Sequence, residues 1–272
     1  MDFSLVEEQQ MLRDSLARFI QKDYTFERRR ANQALAEGFS RDTWAQFAEM
    51  GMLGIALPQD HGGFGGSSID TMIVMNAIGN GLVVEPYLAT VVLGARALVH
   101  GGSPAQRAEF LPAVSEGKRL LAFAHGEAEA RYAQYHVSVT ARRDGNGFVL
   151  EGGKSVVMHG AQADALIVSA RTSGATGDAR GITLFLVDAK TKGVARRDYR
   201  TIDGLRAADV ALAGVRVASD AIIGEVDGGS SILDRVLDDG VAALCAEAVG
   251  VMESLNAQTL EYIKTRQQFG QP

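Results

Sequence analysis

An α+β fold is predicted by three features of this 272-residue sequence. A helical period runs through the first 118 residues, the pattern changes to period 2 near Lys118, and a helical period returns after Ser230. This divides the chain into a helical domain over 1–118, an antiparallel β-barrel or sandwich over 119–227, and the first helix of a C-terminal helical domain over 228–272. A length of about 150 residues per domain supports more than one unit.

In the first unit, Ser4 and Glu7 fit a capping box, and Leu5, Leu12, Leu16 and Phe19 follow at helical spacing. A helix after Ser40 carries Trp44 and Phe47 on one face and stops near Gly51. The glycine loop HGGFGGSS (61–68) precedes a helix from about Ile69 to Ile78, and another runs from Pro86 to about His100. Ser103-Pro104 supplies a cap and a first-turn proline for a helix ending near Gly117. The second unit reads as short β-rich runs: LLAFAHGE, VSVTARR, GFVLEGGKSVVMHG, ALIVSART, ITLFLVD and VALAGVRV. Asp144-Gly145-Asn146-Gly147 is a hairpin signal. No helical stretch of 10–15 residues separates these runs, so a βαβ sheet is not expected. The last helix is apolar on nearly all sides around LCAEAVGV, which places it inside a bundle. The rest of that bundle is expected beyond Pro272.

Composition excludes several classes. Hydrophobic residues make up 46% and charged residues 22%, as in an ordinary globular chain. A net charge of −6 argues against nucleic-acid binding. The single cysteine, Cys245, allows no intrachain disulfide and suits a reducing compartment. No apolar run is long enough for a membrane span, and the acidic N-terminus is no signal peptide. A cytoplasmic location is the expectation.

Three motifs fail as signatures. The glycine loop lacks the third glycine of G-x-G-x-x-G at Ser68 and is read as a structural turn. Gly153-Lys154-Ser155 resembles the end of a phosphate-binding loop, but Phe148 stands where its first glycine belongs, and the context is strand–turn–strand. His125-Gly126-Glu127 matches the H-x-E of zinc deaminases without their cysteines. No metal site is expected from the histidines at 61, 100, 125, 136 and 159. Glu247, within the apolar helix, reads as a seam carboxylate with a basic partner, with a raised-pKa base as the alternative.

Taken together, the order of domains and the ending Tyr262-Ile-Lys-Thr-Arg266-Gln-Gln-Phe269-Gly270 resemble the acyl-CoA dehydrogenases. GMLGIALPQDHGGFGG (51–66), the passage 106–118 with FLPAVSEGK, and GLRAADVALAGVRV (204–217) carry the same resemblance. Within that family, LAFAHGEAEARY, SRDTWAQFAEMGMLG, VEPYLATVVLG and LCAEAVG are most similar to the small subunits of pimeloyl-CoA dehydrogenases and related heteromeric enzymes. The resemblance implies FAD, an acyl-CoA substrate, and α,β-desaturation of its thioester in the degradation of fatty or dicarboxylic acids. It also implies a homo- or hetero-tetramer with a large subunit, and electron-transfer flavoprotein as acceptor.

Residue by residue, the resemblance is uneven. The flavin-lining loop of the family corresponds to His125–Tyr132, where the threonine that bonds the flavin is Gly126 and the serine on the CoA side is Tyr132. The W-I-[ST] strand over the flavin reads Val156-Val157-Met158. Arg266, Gln268 and Phe269 fit the element that reaches the FAD of a neighbouring subunit. Asp238 keeps an acidic position near the acyl site. One alternative base position is Gly240, and the more common base is expected beyond Pro272, so no catalytic residue is assigned within the chain. The degraded loop and intact inter-subunit element imply a heteromeric enzyme; the alternative is a non-catalytic subunit completing a partner's FAD site. On this reading Arg266→Ala matters greatly for FAD retention and Glu127→Ala little.

Overall fold

The computed structural model describes residues 4–268. Helix α1 (Glu7–Lys22) buries Leu16, Phe19 and Ile20. Its cap differs from the expected pair: Val6 is the N-cap, and its backbone N–H donates to Gln9 Oε1 at 3.3 Å. Helix α2 (Phe26–Ala34) was not foreseen, because FERRRANQA has no apolar period and buries only Asn32. It is held by polar bonds, with Asn32 Nδ2 donating to the buried Glu85 at 2.8 Å. Helix α3 (Arg41–Glu49) starts where expected, its Thr43 N–H bonded to Ser40 Oγ. The glycine loop folds back as a turn, with Phe64, Gly65 and Gly66 donating to the carbonyls of Gly54, Leu57 and Ile55.

Helix α4 (Ser68–Gly81) is capped by a reciprocal Ser67–Asp70 box. A π-helical segment, Leu88–Ala95, continues into α5 (Arg96–Gly101). Helix α6 (Pro104–Ser115) has the expected Ser103 cap and Pro104 in its first turn. The last helix, α7 (Ser230–Thr265), crosses α4 closely: a Cβ on Gly79 would lie 2.0 Å from the Glu247 carbonyl oxygen, and one on Gly250 1.9 Å from that of Asn76. Only glycine permits this crossing. Along α7, Val241, Leu244, Met252, Leu255 and Ile263 remain exposed.

The middle region is an open, mixed sheet of eight strands, and this corrects the antiparallel barrel or sandwich. The strands are β1 (Leu121–Ala124), β2 (Thr140–Asp144), β3 (Gly147–Met158), β4 (Ala165–Arg171), β5 (Ile182–Asp188), β6 (Val194–Arg200), β7 (Arg206–Ala218) and β8 (Ile222–Ile223). Their order is β6-β7-β3-β2-β4-β5-β8, and β1 pairs with β4. Both β1 and β2 run parallel to β4, along the same edge. The cause is the irregular segment 125–139: it is no hairpin, so the chain resumes at β2 in the direction it left β1. The β2–β3 turn is the expected two-residue hairpin, with Asp144 opposite Gly147 and Gly145 at φ 58°.

Strand β4 is buried at every residue. Ala165 and Ile167 face the core shared with the helices, while Leu166, Val168 and Ala170 face a second core enclosed by the curled sheet. Burial on both faces explains its unbroken apolar run.

Candidate functional site

The exposed backbone of the 125–132 segment lies beside strand β3. Ser155 N–H donates to the Gly126 carbonyl at 2.8 Å, bringing His125, Gly126 and Val156 together. The register of β3 against β7 slips between Lys154 and Val157, leaving Ser155 and Val156 opposite Asp209. This bulge turns Val156 outward, 61% exposed and at φ 54°, an uncommon conformation for a β-branched residue. Asp209 accepts the Val156 N–H. Met158, two residues on, is half-buried. Tyr132 is fully exposed at the tip of the segment.

The rigidity of this face comes from residues that the sequence reading set aside. Lys154, wholly buried, donates to Glu127 Oε1 at 2.7 Å, Ser169 Oγ at 2.9 Å and the His125 carbonyl at 3.1 Å. Glu127 Oε2 accepts from the Ser138 N–H at 2.8 Å and its hydroxyl at 2.5 Å. Burial opposes ionisation of Glu127, but the Lys154 charge and the Ser138 bonds hold its carboxyl below the usual range. Burial pulls the Lys154 ammonium down to about 8 against the attraction of Glu127. His125 is pushed down to about 4, first by burial and then by the Lys154 charge, so its ring is neutral. The two discarded fragments, H-G-E and G-K-S, are thus the halves of one buried ion pair. A Lys inside a β-rich run is the one sequence signal that pointed there.

Segment 125–139 is tied at its far end by Arg171, which donates to the carbonyls of Tyr135, Thr176, Asp178 and Arg180. It is joined to the start of α7 through Asp234, which accepts from Gln134 Nε2 at 2.6 Å and Tyr135 Oη at 3.0 Å.

A second feature is a cavity of about 220 Å³ between α4, the π-helical segment and α7. Ile69, Met72, Val91, Val92 and Ala243 form much of its wall, and Arg96 and Asp239 supply its charged side. Asp239 accepts from Arg96 Nε at 2.9 Å and His100 Nε2 at 2.7 Å. Burial raises its pKa, but these two bonds outweigh burial and leave the carboxyl below its ordinary range. Asp238, the acidic position singled out in the sequence, is exposed, and it is Asp239 that lines the cavity. Gly240 is buried, and a Cβ there would lie 2.9 Å from Leu93 Cδ2. Among the described residues Glu247 has no basic partner; burial and the nearby Asp203 raise its pKa.

Arg266 lies at the opposite end of α7. It is exposed and, among the described residues, bonds only within its helix, Nη1 donating to Tyr262 Oη at 2.6 Å with the guanidinium over the Tyr262 ring. Asp234 and Arg266 are separated by about 48 Å of helix at 1.5 Å per residue. Gln268 is exposed, and Phe269 lies outside the described residues. Among the described residues no group of three or more metal-ligating side chains is gathered, and no helix is long and apolar enough to cross a membrane.

Residues 6–118 match the acyl-CoA dehydrogenase N-terminal domain, and residues 122–215 match the acyl-CoA dehydrogenase middle domain. The mitochondrial isovaleryl-CoA dehydrogenase of Pongo abelii is 29% identical over 98% of this chain, which spans 64% of that relative's length. The acryloyl-CoA reductase (NADH) of Anaerotignum propionicum is 28% identical over the whole chain and 70% of its own length. Among solved structures, a chain of the ChsE4–ChsE5 complex from Mycobacterium tuberculosis superposes with a TM-score of 0.86 and 30% identity, covering all of this chain and 71% of the other.

Proposed function

Because the chain belongs to the acyl-CoA dehydrogenase family, whose members are FAD-dependent flavoproteins, we propose that it is one subunit of an oligomeric enzyme that desaturates an acyl-CoA thioester at its α,β bond. Support comes chiefly from the separation of its two candidate flavin elements. The 125–132 segment and Arg266 sit at opposite ends of α7, so each serves a different flavin, and every flavin site takes elements from two chains.

The residues present suit the flavin. Exposed backbone at Gly126 and the outward Val156 offer a flat surface with little side-chain bulk. Met158 adds apolar contact alongside. The His125 ring is committed to Ser169 and Gln134, so this segment meets the flavin through backbone groups. Arg266 and Gln268, with Phe269 beside them, are the elements offered to a neighbour's FAD, where the guanidinium suits the pyrophosphate. FAD supplies the hydride acceptor when bound.

The acyl group is assigned to the apolar cavity, whose walls fit a hydrocarbon chain. Asp239 is a poor proton acceptor because His100 and Arg96 stabilise its ionised form. With glycine at 240, Asp239 is the one carboxylate lining the cavity among the described residues, and the α-proton is assigned to a base outside the described residues. Tyr132, exposed beside the flavin segment, is assigned to the CoA side. A large partner subunit fits the ChsE4–ChsE5 likeness, with electron-transfer flavoprotein as acceptor and a cytoplasmic location. The alternative, a non-catalytic subunit completing a partner's site, is favoured by Gly126 and Val156, neither of which carries a hydrogen-bonding side chain.

Anaerobic addition of acyl-CoA to the purified assembly tests the reading. Bleaching of a bound flavin is the expected result, and an assembly without flavin contradicts it.

A further inference from the structure

The ion pair between Lys154 and Glu127 does more than hold the sheet together. Lys154 has three N–H donors and three acceptors, one each on Glu127, Ser169 and the His125 carbonyl. Its side chain has no exposure, so it is closed to any substrate and is no nucleophile or base. The direction of the neighbouring bonds follows from chemistry. The Gln134 carbonyl only accepts, so His125 Nε2 carries the proton. A neutral ring then leaves Nδ1 as acceptor, and Ser169 Oγ donates to it at 2.9 Å. Ser169 in turn accepts from Lys154. One ammonium therefore sets the His125 backbone directly and its ring through Ser169, and the far side of the segment through Glu127 and Ser138.

A buried ion pair is a poor device for stability alone, since well-packed apolar residues of similar volume commonly do as well or better. What an apolar pair lacks is direction. The carbonyl that Lys154 fixes belongs to the 125–126 peptide, the same peptide whose backbone forms the flavin-facing surface. Its neighbour Gly126 brings no side chain that would hold that peptide in place.

We propose that Lys154 is a positioning residue for FAD: paired with Glu127 and relayed through Ser169, it orients the 125–126 peptide against the flavin. This rests on the functional reading above. The bonds continue through Gln134 to Asp234, so the same network fixes the flavin segment against the first turns of α7.

The test compares wild type with Lys154→Met/Glu127→Met, which removes both charges together and leaves neither buried alone, and with Ser169→Ala, which leaves the ion pair intact. FAD affinity, the visible spectrum of the bound flavin and the melting temperature are measured on the full assembly. The double variant is expected to melt cooperatively near the wild-type temperature, to bind FAD about tenfold more weakly, and to show an altered flavin band. Ser169→Ala is expected to weaken FAD about threefold and to fold cooperatively with a modestly lowered melt, since it leaves one Lys154 N–H and the His125 Nδ1 unpaired. Should the double variant fail to fold, Ser169→Ala decides alone. Wild-type affinity and spectrum in the folded variants overturn the inference while leaving the functional reading standing. A wild-type assembly that binds no FAD overturns the functional reading, and the inference with it.

Discussion

At one end of α7, the 125–139 segment is held by two buried or half-buried cations, Lys154 and Arg171, whose donors are nearly all committed. At the other end, Arg266 stands in solvent and, among the described residues, bonds only to Tyr262 of its own helix. Both regions are candidate flavin elements, yet one is finished within the chain and the other is not. Preorganised groups cost little to bring to a ligand, whereas a free guanidinium must lose rotamer freedom on binding. The contrast indicates which element the chain orders by itself and which, on the proposed reading, another subunit would complete.

The sharpest way to break this contrast is Glu127→Ala. It leaves the Lys154 charge buried without its counter-ion, a loss of about 3–5 kcal/mol. The expectation drawn from sequence concerned FAD retention, which this substitution was to lower little; the buried ion pair adds the expectation of a large loss of stability, because Glu127 holds the segment proposed to face the flavin. A urea melt should show a large drop in midpoint, and an unchanged midpoint would contradict the clamp. Arg266→Ala is the mirror experiment. The melt should stay unchanged, since the side chain is exposed, while FAD binding to the assembly weakens by about 1.5–3 kcal/mol per charge-assisted bond lost. Lysine restores only part of this because it lacks the planar fork.

Acid sharpens the comparison further. His125 and His159 are both held neutral, with burial as the first cause, and each titrates near 4 instead of 6.5. The unfolded chain therefore binds more protons than the folded one between those values. Stability is complete above pH 6.5 and falls as pH drops toward 4, by roughly 2 kcal/mol per histidine near the middle of that window. His125 lies in the segment proposed to face the flavin, so FAD release should accompany the fall, and equilibrium melts at neutral and acid pH check it. The smallest effect is expected from Val156→Gly, which relieves the positive φ and stabilises the fold by about 1 kcal/mol. A lower midpoint would mean that Val156 packs more than its exposure shows.

What the sequence made legible depends on how local its cause is. The Ser40 and Ser103 caps, the Pro104 start and the Asp144–Gly147 hairpin each rest on residues within four positions of one another, and each was readable. Helix α2 was missed because its anchor, Asn32 to Glu85, joins residues 53 apart. Strand β6 was missed because VARRDYR, at the edge of the sheet, has little to bury. The parallel pairing of β1 with β4 was hidden because a long irregular connection leaves no turn signature. At the candidate site, His125, Gly126 and Val156 were located by resemblance and the structure draws them together. Gly153-Lys154-Ser155 was set aside as an incomplete phosphate-binding loop, and nothing local marks Lys154 as buried; its three partners come from 125–127 and 169. Asp238 was singled out by resemblance; one residue on, about 100° round the helix, it is Asp239 that lines the cavity.

The central claim is that each flavin site takes elements from two chains. Sedimentation of the purified assembly across a dilution series, with protein and flavin absorbance recorded together, tests it most directly. Flavin travelling only with the oligomer, and released as the oligomer dissociates, is the result this account predicts. A monomer that retains stoichiometric FAD would contradict it.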